Sequence, residues 1–280
     1  MCLASGMDVG DLEPVERTAL LTEYARALDA SAARPILADP LARSTVDEID
    51  FPFSDLGVTP SVRTLVALRA RMLDQRVRDF VTVNPCAVVV DLGAGLNSMV
   101  FRVDPPATVD WFSVDLPRVI QLRNALLPQR ENARNLSASV IEDDWAATLP
   151  RDRSTAIVAD GLFAFLTESA IVGLFRGLTT NFPSGMLVFN DYGRVGRLNR
   201  ITGRLAMRGT NSPHQHWNFA GFKDARHPET WNPRLHLNEE VSAMFEPEAA
   251  AFPMGLRLAS RVAKRFPPIA RKARVLRYRF

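Results

Sequence analysis

Cysteine, histidine and lysine are all scarce in this 280-residue chain. The two cysteines, Cys2 and Cys86, stand far apart, which excludes a disulfide framework and points to a cytoplasmic protein. His214 and His216 have the spacing of metal ligands. No acid or cysteine stands near them in sequence, so no metal is expected. Long apolar runs are missing too. An uncharged stretch such as Gly177–Asn190 falls well short of the roughly 20 residues that cross a bilayer. Met1–Gly10 has neither a basic patch nor an apolar core, so no signal peptide is read there. Internal repeats and low-complexity tracts are absent. Only three of the 34 basic residues are lysines (Lys223, Lys264 and Lys272), a bias we ascribe to genome composition.

The length and the 47% hydrophobic content suffice for one large α/β domain. The net charge of +3 is unevenly placed. Residues 1–193 carry 17 basic and 25 acidic side chains, and residues 194–280 carry 17 basic and 6 acidic ones. From Arg257 onward there are nine basic residues and no acid. Such a stretch suits either a solvated terminal face or an acidic partner.

The most informative segment is Ala87-Val88-Val89-Val90-Asp91-Leu92-Gly93-Ala94-Gly95-Leu96. It reads as a buried strand that runs straight into a glycine turn, where backbone can approach a ligand closely. Twenty residues past Gly95, the strand Trp111–Asp115 ends in an acid. In a doubly wound sheet that acid can bind both hydroxyls of a ribose. A dinucleotide fingerprint wants a third glycine, and the position holds Ser98. An adenosine-bearing cofactor without phosphate, S-adenosylmethionine, suits this turn.

Apolar periodicity predicts helices over 18–33, 62–83, 117–127 and 168–182, and a short one from Asp39-Pro40. Ser61 is the expected cap of the second. Strands are predicted at 87–91, 111–115, 136–141, 156–159, 186–189 and 274–280, which makes a mainly parallel sheet. Asp91, Asp115, Glu142 with Asp143, and Asp160 with Gly161 then mark the carboxyl ends of the first four strands, the edge where such sheets bind ligands. On the helix from Val62, Arg69 shares a face with Val62, Leu65, Val66, Leu73 and Val77, while Arg71 points away. A cation on an apolar face either pairs with a core acid or grips the carboxylate of an amino-acid moiety. Residues 194–232, rich in aromatics and histidine, suit either a substrate lid or structural packing.

Several segments together resemble one family. They are Arg17-Thr18-Ala19-Leu20, Arg26-Ala27, Asp39-Pro40, Arg69 with Asp74, Val89–Ser98, Phe112–Pro117, Ala159–Leu166 and the Leu276–Phe280 end. They look like the leucine carboxyl methyltransferases, in particular the bacterial polyketide-type O-methyltransferases. The resemblance implies an α/β, Rossmann-like class I methyltransferase fold. It has a seven-stranded, mostly parallel sheet with helices on both faces, and an N-terminal helical cap. The cap would span 1–83 and contribute to the cofactor site, and the core would span 84–280 with a lid insertion at 194–232. The resemblance places Arg69 on the methionine carboxylate, with Arg26 nearby. Gly93, Ala94 and Gly95 lie under the cofactor, Asp115 and Leu116 at the ribose, Glu142 and Asp143 near the adenine, and Asp160 and Gly161 near the amine. The chain departs from the family's usual residues at Asn97, Ser98, Glu142, Asp160 and Phe165.

The leading expectation is an S-adenosylmethionine-dependent O-methyltransferase. Its acceptor is a carboxylate or phenol of a small molecule of polyketide type, either free or held on a carrier protein. No catalytic residue is assigned; Tyr192, His214 and His216 are candidate neighbours of the methyl site. The alternatives are an NAD-dependent oxidoreductase and a non-catalytic cofactor- or nucleic-acid-binding protein. Ser98 and the lack of a Tyr/Lys pair oppose the first. The absence of interleaved aromatic and basic residues over 257–280 opposes nucleic acid.

Overall fold

The short apolar runs of the sequence pair with one another at the centre of a seven-stranded sheet. The computed structural model describes residues 7–10, 12–142, 144–193, 217–263, 271 and 273–280. Its strands are β1 (Met7–Asp8), β2 (Ile49–Asp50), β3 (Val88–Leu92), β4 (Asp110–Asp115), β5 (Ala133–Ser137), β6 (Thr155–Ala159), β7 (Gly185–Asp191), β8 (His236–Ser242) and β9 (Arg274–Arg279). β1 and β2 form a separate parallel pair. The other strands lie in the order β5-β4-β3-β6-β7-β9-β8. β3 to β7 run parallel, and β9 is antiparallel to both its neighbours.

The helices are α1 (Arg17–Ala30), α2 (Pro40–Asp47), α3 (Pro60–Val83), α4 (Met99–Val103), α5 (Pro117–Leu126), α6 (Glu168–Asn181), α7 (His227–Trp231) and α8 (Met254–Ala263). Strand residues alternate between two faces. Val88, Val90, Ile157 and Phe189 pack with Phe175 and Leu178 of α6. Val89, Trp111, Ala156, Val158 and Val188 pack with Leu68, Leu73 and Val77 of α3. Both faces are covered, which explains why the central strands read as unbroken apolar runs.

Two expectations need correction, and one strand was not expected. Thr59, rather than Ser61, caps α3: its hydroxyl accepts from Val62 N at 3.3 Å, and Pro60, with its preset φ, opens the helix. The strand expected at 136–141 lies at 133–137. It is an edge strand with half-buried side chains, so its apolar pattern is weak, and the apolar residues after Ser137 belong to the following turn. β8 escaped notice because it too is an edge strand, with exposed and half-buried residues in alternation and the acids Glu239 and Glu240 in its middle.

α1 packs on α2 and α3, and its Leu20 joins Phe53, Leu96 and Leu122 in one apolar cluster. Buried charges fasten this end of the chain to the core. Asp39 caps α2, accepting from Leu41 N at 3.2 Å and Ala42 N at 3.4 Å. It also accepts from Arg102 Nη1 and from Ser98 Oγ, each at 2.6 Å. Arg102 reaches Asp74 as well, at 2.7 and 2.9 Å. Among the described residues no helix is long and apolar enough to cross a membrane.

Gly177 lies exposed in α6, and a Cβ there would meet nothing within 4 Å. Gly177→Ala is therefore expected to raise the unfolding free energy by about 0.5–1 kcal/mol, by helix propensity alone. Urea denaturation checks it, and a loss of stability would contradict the open surroundings.

Candidate functional site

The sheet order reverses at β3, because β4 lies on one side of it and β6 on the other. The crevice outside the carboxyl ends of these strands is where such sheets bind ligands. A cavity of about 340 Å³ lies there. Its floor is the glycine turn after β3. Gly93 and Gly95 have φ of +62° and +51°, and a Cβ at Gly93 would come within 3.0 Å of Leu162 Cδ1. Neither position suits a residue with a side chain.

Asp115 ends β4 at the cavity wall. Its Oδ2 accepts from Gly95 N at 2.6 Å and its Oδ1 from Leu116 N at 2.7 Å. Burial pushes its pKa up, and these two amide bonds oppose that. The backbone thus fixes the carboxylate at both oxygens. Its remaining lone pairs are still able to accept.

Across the cavity, Arg69 of α3 reaches Asp160 just past β6. Nε lies 2.5 Å from Asp160 Oδ1, and the side chains are 13% and 6% exposed. Arg69 Nη1 also donates to the Tyr192 hydroxyl at 2.6 Å. Arg69 thus pairs with a buried acid, one of its two sequence readings, and it also lines the cavity. Arg71 points outward and pairs with Glu248 at 2.6 Å. Gly161 has φ of +86° and donates its N–H to Asn190 Oδ1 at 2.5 Å.

The far wall is largely apolar. Leu21 of α1, Val62 and Leu65 of α3, Phe165 and Trp217 contribute to it. The Tyr192 and Trp217 rings lie 4.5 Å apart. Asn218 N and Phe219 N both donate to Ala164 O, which holds Trp217 beside the turn after β6. The other aromatics of this stretch serve the core instead: Phe222 and Trp231 pack 5.3 Å apart over Phe189 and Phe175.

Of the residues singled out in the sequence, Arg69, Gly93, Ala94, Gly95, Asp115, Leu116, Asp160 and Gly161 all line this cavity, as do Arg26 and Tyr192. Glu142 does not. It is exposed, in a turn closed by its N–H to Ser139 O at 3.2 Å, because β5 ends five residues before it. Asp143, His214 and His216 lie outside the described residues. Asp91 sits within β3 rather than at its end, 1% exposed. Sequence reasoning missed Asn190, Asp191 and Arg274 at the cavity; Trp217, which also lines it, belongs to the 194–232 stretch read as a lid or as packing. Asp191 and Arg274 pair at 2.8 Å, and Arg274 also donates to Phe222 O at 2.6 Å.

This sheet order, with a glycine turn after the first core strand and an acid ending the second, defines a class I S-adenosylmethionine-dependent methyltransferase. The class sets aside the NAD-dependent reading. The chain belongs to the leucine carboxyl methyltransferase family, whose model matches residues 19–179. It is 33% identical over 276 residues to the tetracenomycin polyketide synthesis O-methyltransferase TcmP of Streptomyces glaucescens, covering 96% of this chain and 98% of that protein. It is 31% identical over 186 residues to the S-adenosyl-L-methionine-dependent methyltransferase dpfgK of Gibberella zeae, covering 61% and 62% of the two chains. In fold it is similar to a proposed methyltransferase from Thermobifida fusca YX, with a TM-score of 0.56, 16% identity, and 91% and 93% coverage.

Proposed function

We propose that this enzyme methylates an acidic oxygen of a small, largely apolar molecule, a carboxylate ahead of a phenol. One observation carries the reading. The opposed charges of Arg69 and Asp160, the Asp115 carboxylate and the glycine turn share a cavity whose remaining wall is mainly apolar. These residues fit S-adenosylmethionine. In this reading Asp115 takes two ribose hydroxyls, Arg69 the amino acid's carboxylate and Asp160 its ammonium group. Gly93, Ala94, Gly95, Leu116 and Gly161 offer backbone to lie against. When bound, the cofactor supplies a methyl group made electrophilic by its sulfonium.

The apolar wall excludes water and orients the acceptor, so placement supplies most of the rate. Among the described residues lining the cavity there is no histidine. A carboxylate acceptor, ionised at pH 7, needs no base, whereas a phenol gains from one. Similarity to TcmP supports an acceptor of polyketide type, free or on a carrier protein, rather than a nucleic acid or a membrane surface. We take the enzyme to be cytoplasmic, with residues 1–83 as a cap over a core of 84–280.

Incubation with methyl-labelled S-adenosylmethionine and a panel of aromatic carboxylic acids and phenols tests the reading. The product is expected to release labelled methanol in mild alkali, as an ester does and an aryl ether does not. Label found only on amines or nucleic acid would overturn it.

The two arginines of α3 give a second test. Arg69→Met removes the charge and keeps the apolar stem. It is expected to weaken S-adenosylmethionine binding by about ten- to a hundredfold, the equivalent of one charged hydrogen bond. Arg71→Met should change it less than about twofold, since an exposed pair contributes little. Decarboxylated cofactor is expected to bind wild type and Arg69→Met alike. Equal calorimetric affinities for Arg69→Met and wild type would remove Arg69 from the site.

A further inference from the structure

We propose that Arg123 positions the ribose-binding carboxylate by acting through the glycine turn. The inference rests on the ribose role given above to Asp115. Arg123 lies on α5 and is 2% exposed. Its Nη1 donates to Gly95 O at 2.8 Å, to Asn97 O at 2.9 Å and to Ala94 O at 3.4 Å. Its Nη2 donates to Ser113 Oγ at 3.0 Å and its Nε to Asn135 Oδ1 at 3.1 Å. Three carbonyls from four successive residues therefore converge on one cation, which fills the inside of the turn.

Peptide planarity turns this packing into aim. The Ala94 carbonyl and the Gly95 N–H belong to one rigid plane and point opposite ways. Asn97 N at 2.9 Å and Arg123 Nη1 at 3.4 Å hold the carbonyl side, and the N–H side donates to Asp115 Oδ2 at 2.6 Å. By also clamping the Gly95 and Asn97 carbonyls at 2.8 and 2.9 Å, the guanidinium fixes the turn that aims this amide, and the amide orients the carboxylate. The bond to Ser113 ties the same cation to β4, two residues before Asp115 and on the same face of the strand. Without this group the Gly95 and Asn97 carbonyls would lose these bonds, while Ala94 O keeps the Asn97 N–H at 2.9 Å. A lysine carries its charge at one nitrogen and cannot reproduce the planar fork.

Calorimetry with S-adenosylhomocysteine and its 2′-deoxy analogue tests this in wild type, Arg123→Met and Arg123→Lys. If Arg123→Met does not fold, Arg123→Lys, which keeps the charge, carries the experiment. Wild type is expected to bind the deoxy analogue at least tenfold more weakly than the parent. In either variant S-adenosylhomocysteine should lose about tenfold or more, and the discrimination between the two ligands should fall below about threefold. A merely structural role would weaken both ligands equally and keep the discrimination at its wild-type value. That result, or unchanged affinity, overturns the proposal and leaves Asp115 at the ribose. If wild type itself does not discriminate, the ribose role of Asp115 falls first, and the role of Arg123 falls with it.

Discussion

Gly95→Val is expected to abolish binding of S-adenosylhomocysteine while the protein still folds. Gly95 has φ of +51°, a conformation in which a β-branched residue is a severe outlier. Its Cβ would lie 3.4 Å from Ala19 Cβ, so the added atoms fall in the space that the turn and α1 enclose. Both residues line the cavity. The substitution thus strains the turn by roughly 1–3 kcal/mol and fills the place proposed for the cofactor. Gly95→Ala separates the two effects, because it keeps the strain but lacks the branch; it should bind more weakly than wild type and still measurably. Gly177→Ala is the control that should leave affinity untouched. The measurement is the rise in melting temperature caused by the ligand. A rise for Gly95→Val equal to that of wild type would show that the cofactor does not approach this turn.

The parts of the fold that could be read from the sequence are those that bury both faces of a strand. Val88, Val89 and Val90 announce β3 because neighbouring side chains enter two different cores, and each core demands an apolar residue. β5 and β8 follow another rule. They form the two edges of the sheet, and their residues answer to solvent and to ion pairs, such as Glu239 with Arg76 and Arg277, each at 3.0 Å. Local pattern therefore misplaced one and missed the other. The displacement of β5 also carried Glu142 with it, since an acid assigned to a strand end is only as well placed as the strand.

At the site, one kind of reasoning succeeded and was not applied far enough. Arg69 was singled out because it is a cation on an apolar helical face. Arg123 meets the same criterion: Val119 stands four residues before it and Leu127 four after, and both are buried. Three of its partners are backbone carbonyls, however, and no residue type in the sequence announces them. Arg274 was hidden in another way. It meets Asp191 only because β9 pairs with β7 across 83 positions, a register that single-sequence periodicity does not contain. Cavity residues carried by local motifs were legible. Residues that organise backbone, or that meet through the antiparallel closing strand, were not.

Asp91 supplies the last expected result: Asp91→Asn should stabilise the protein at neutral and alkaline pH. Asp91 is 1% exposed within β3, and its Oδ2 has no hydrogen-bond partner among the described residues. Burial pushes its pKa up to about 7; Asp160 and Asp115 add to the rise, and Arg123 opposes it. An unfolded aspartate titrates near 3.9. Between roughly pH 4 and 7 the native state therefore holds a proton that the unfolded chain has released. The unfolded state binds fewer protons over this range, so Asp91 lowers stability as pH rises, and the loss is complete above about pH 7. The full gap corresponds to about 4 kcal/mol, an order-of-magnitude value for a fully buried group. Asparagine keeps the shape of the protonated acid and cannot ionise. The stability advantage of Asp91→Asn over wild type should accordingly be greatest at pH 8 and shrink by roughly 2–3 kcal/mol by pH 5. Groups that titrate identically in both proteins cancel in the difference, so denaturant unfolding of the pair at pH 5, 6, 7 and 8 isolates this carboxyl. Parallel stability profiles would mean that Asp91 stays ionised in the folded protein, with Arg123 rather than burial setting its charge.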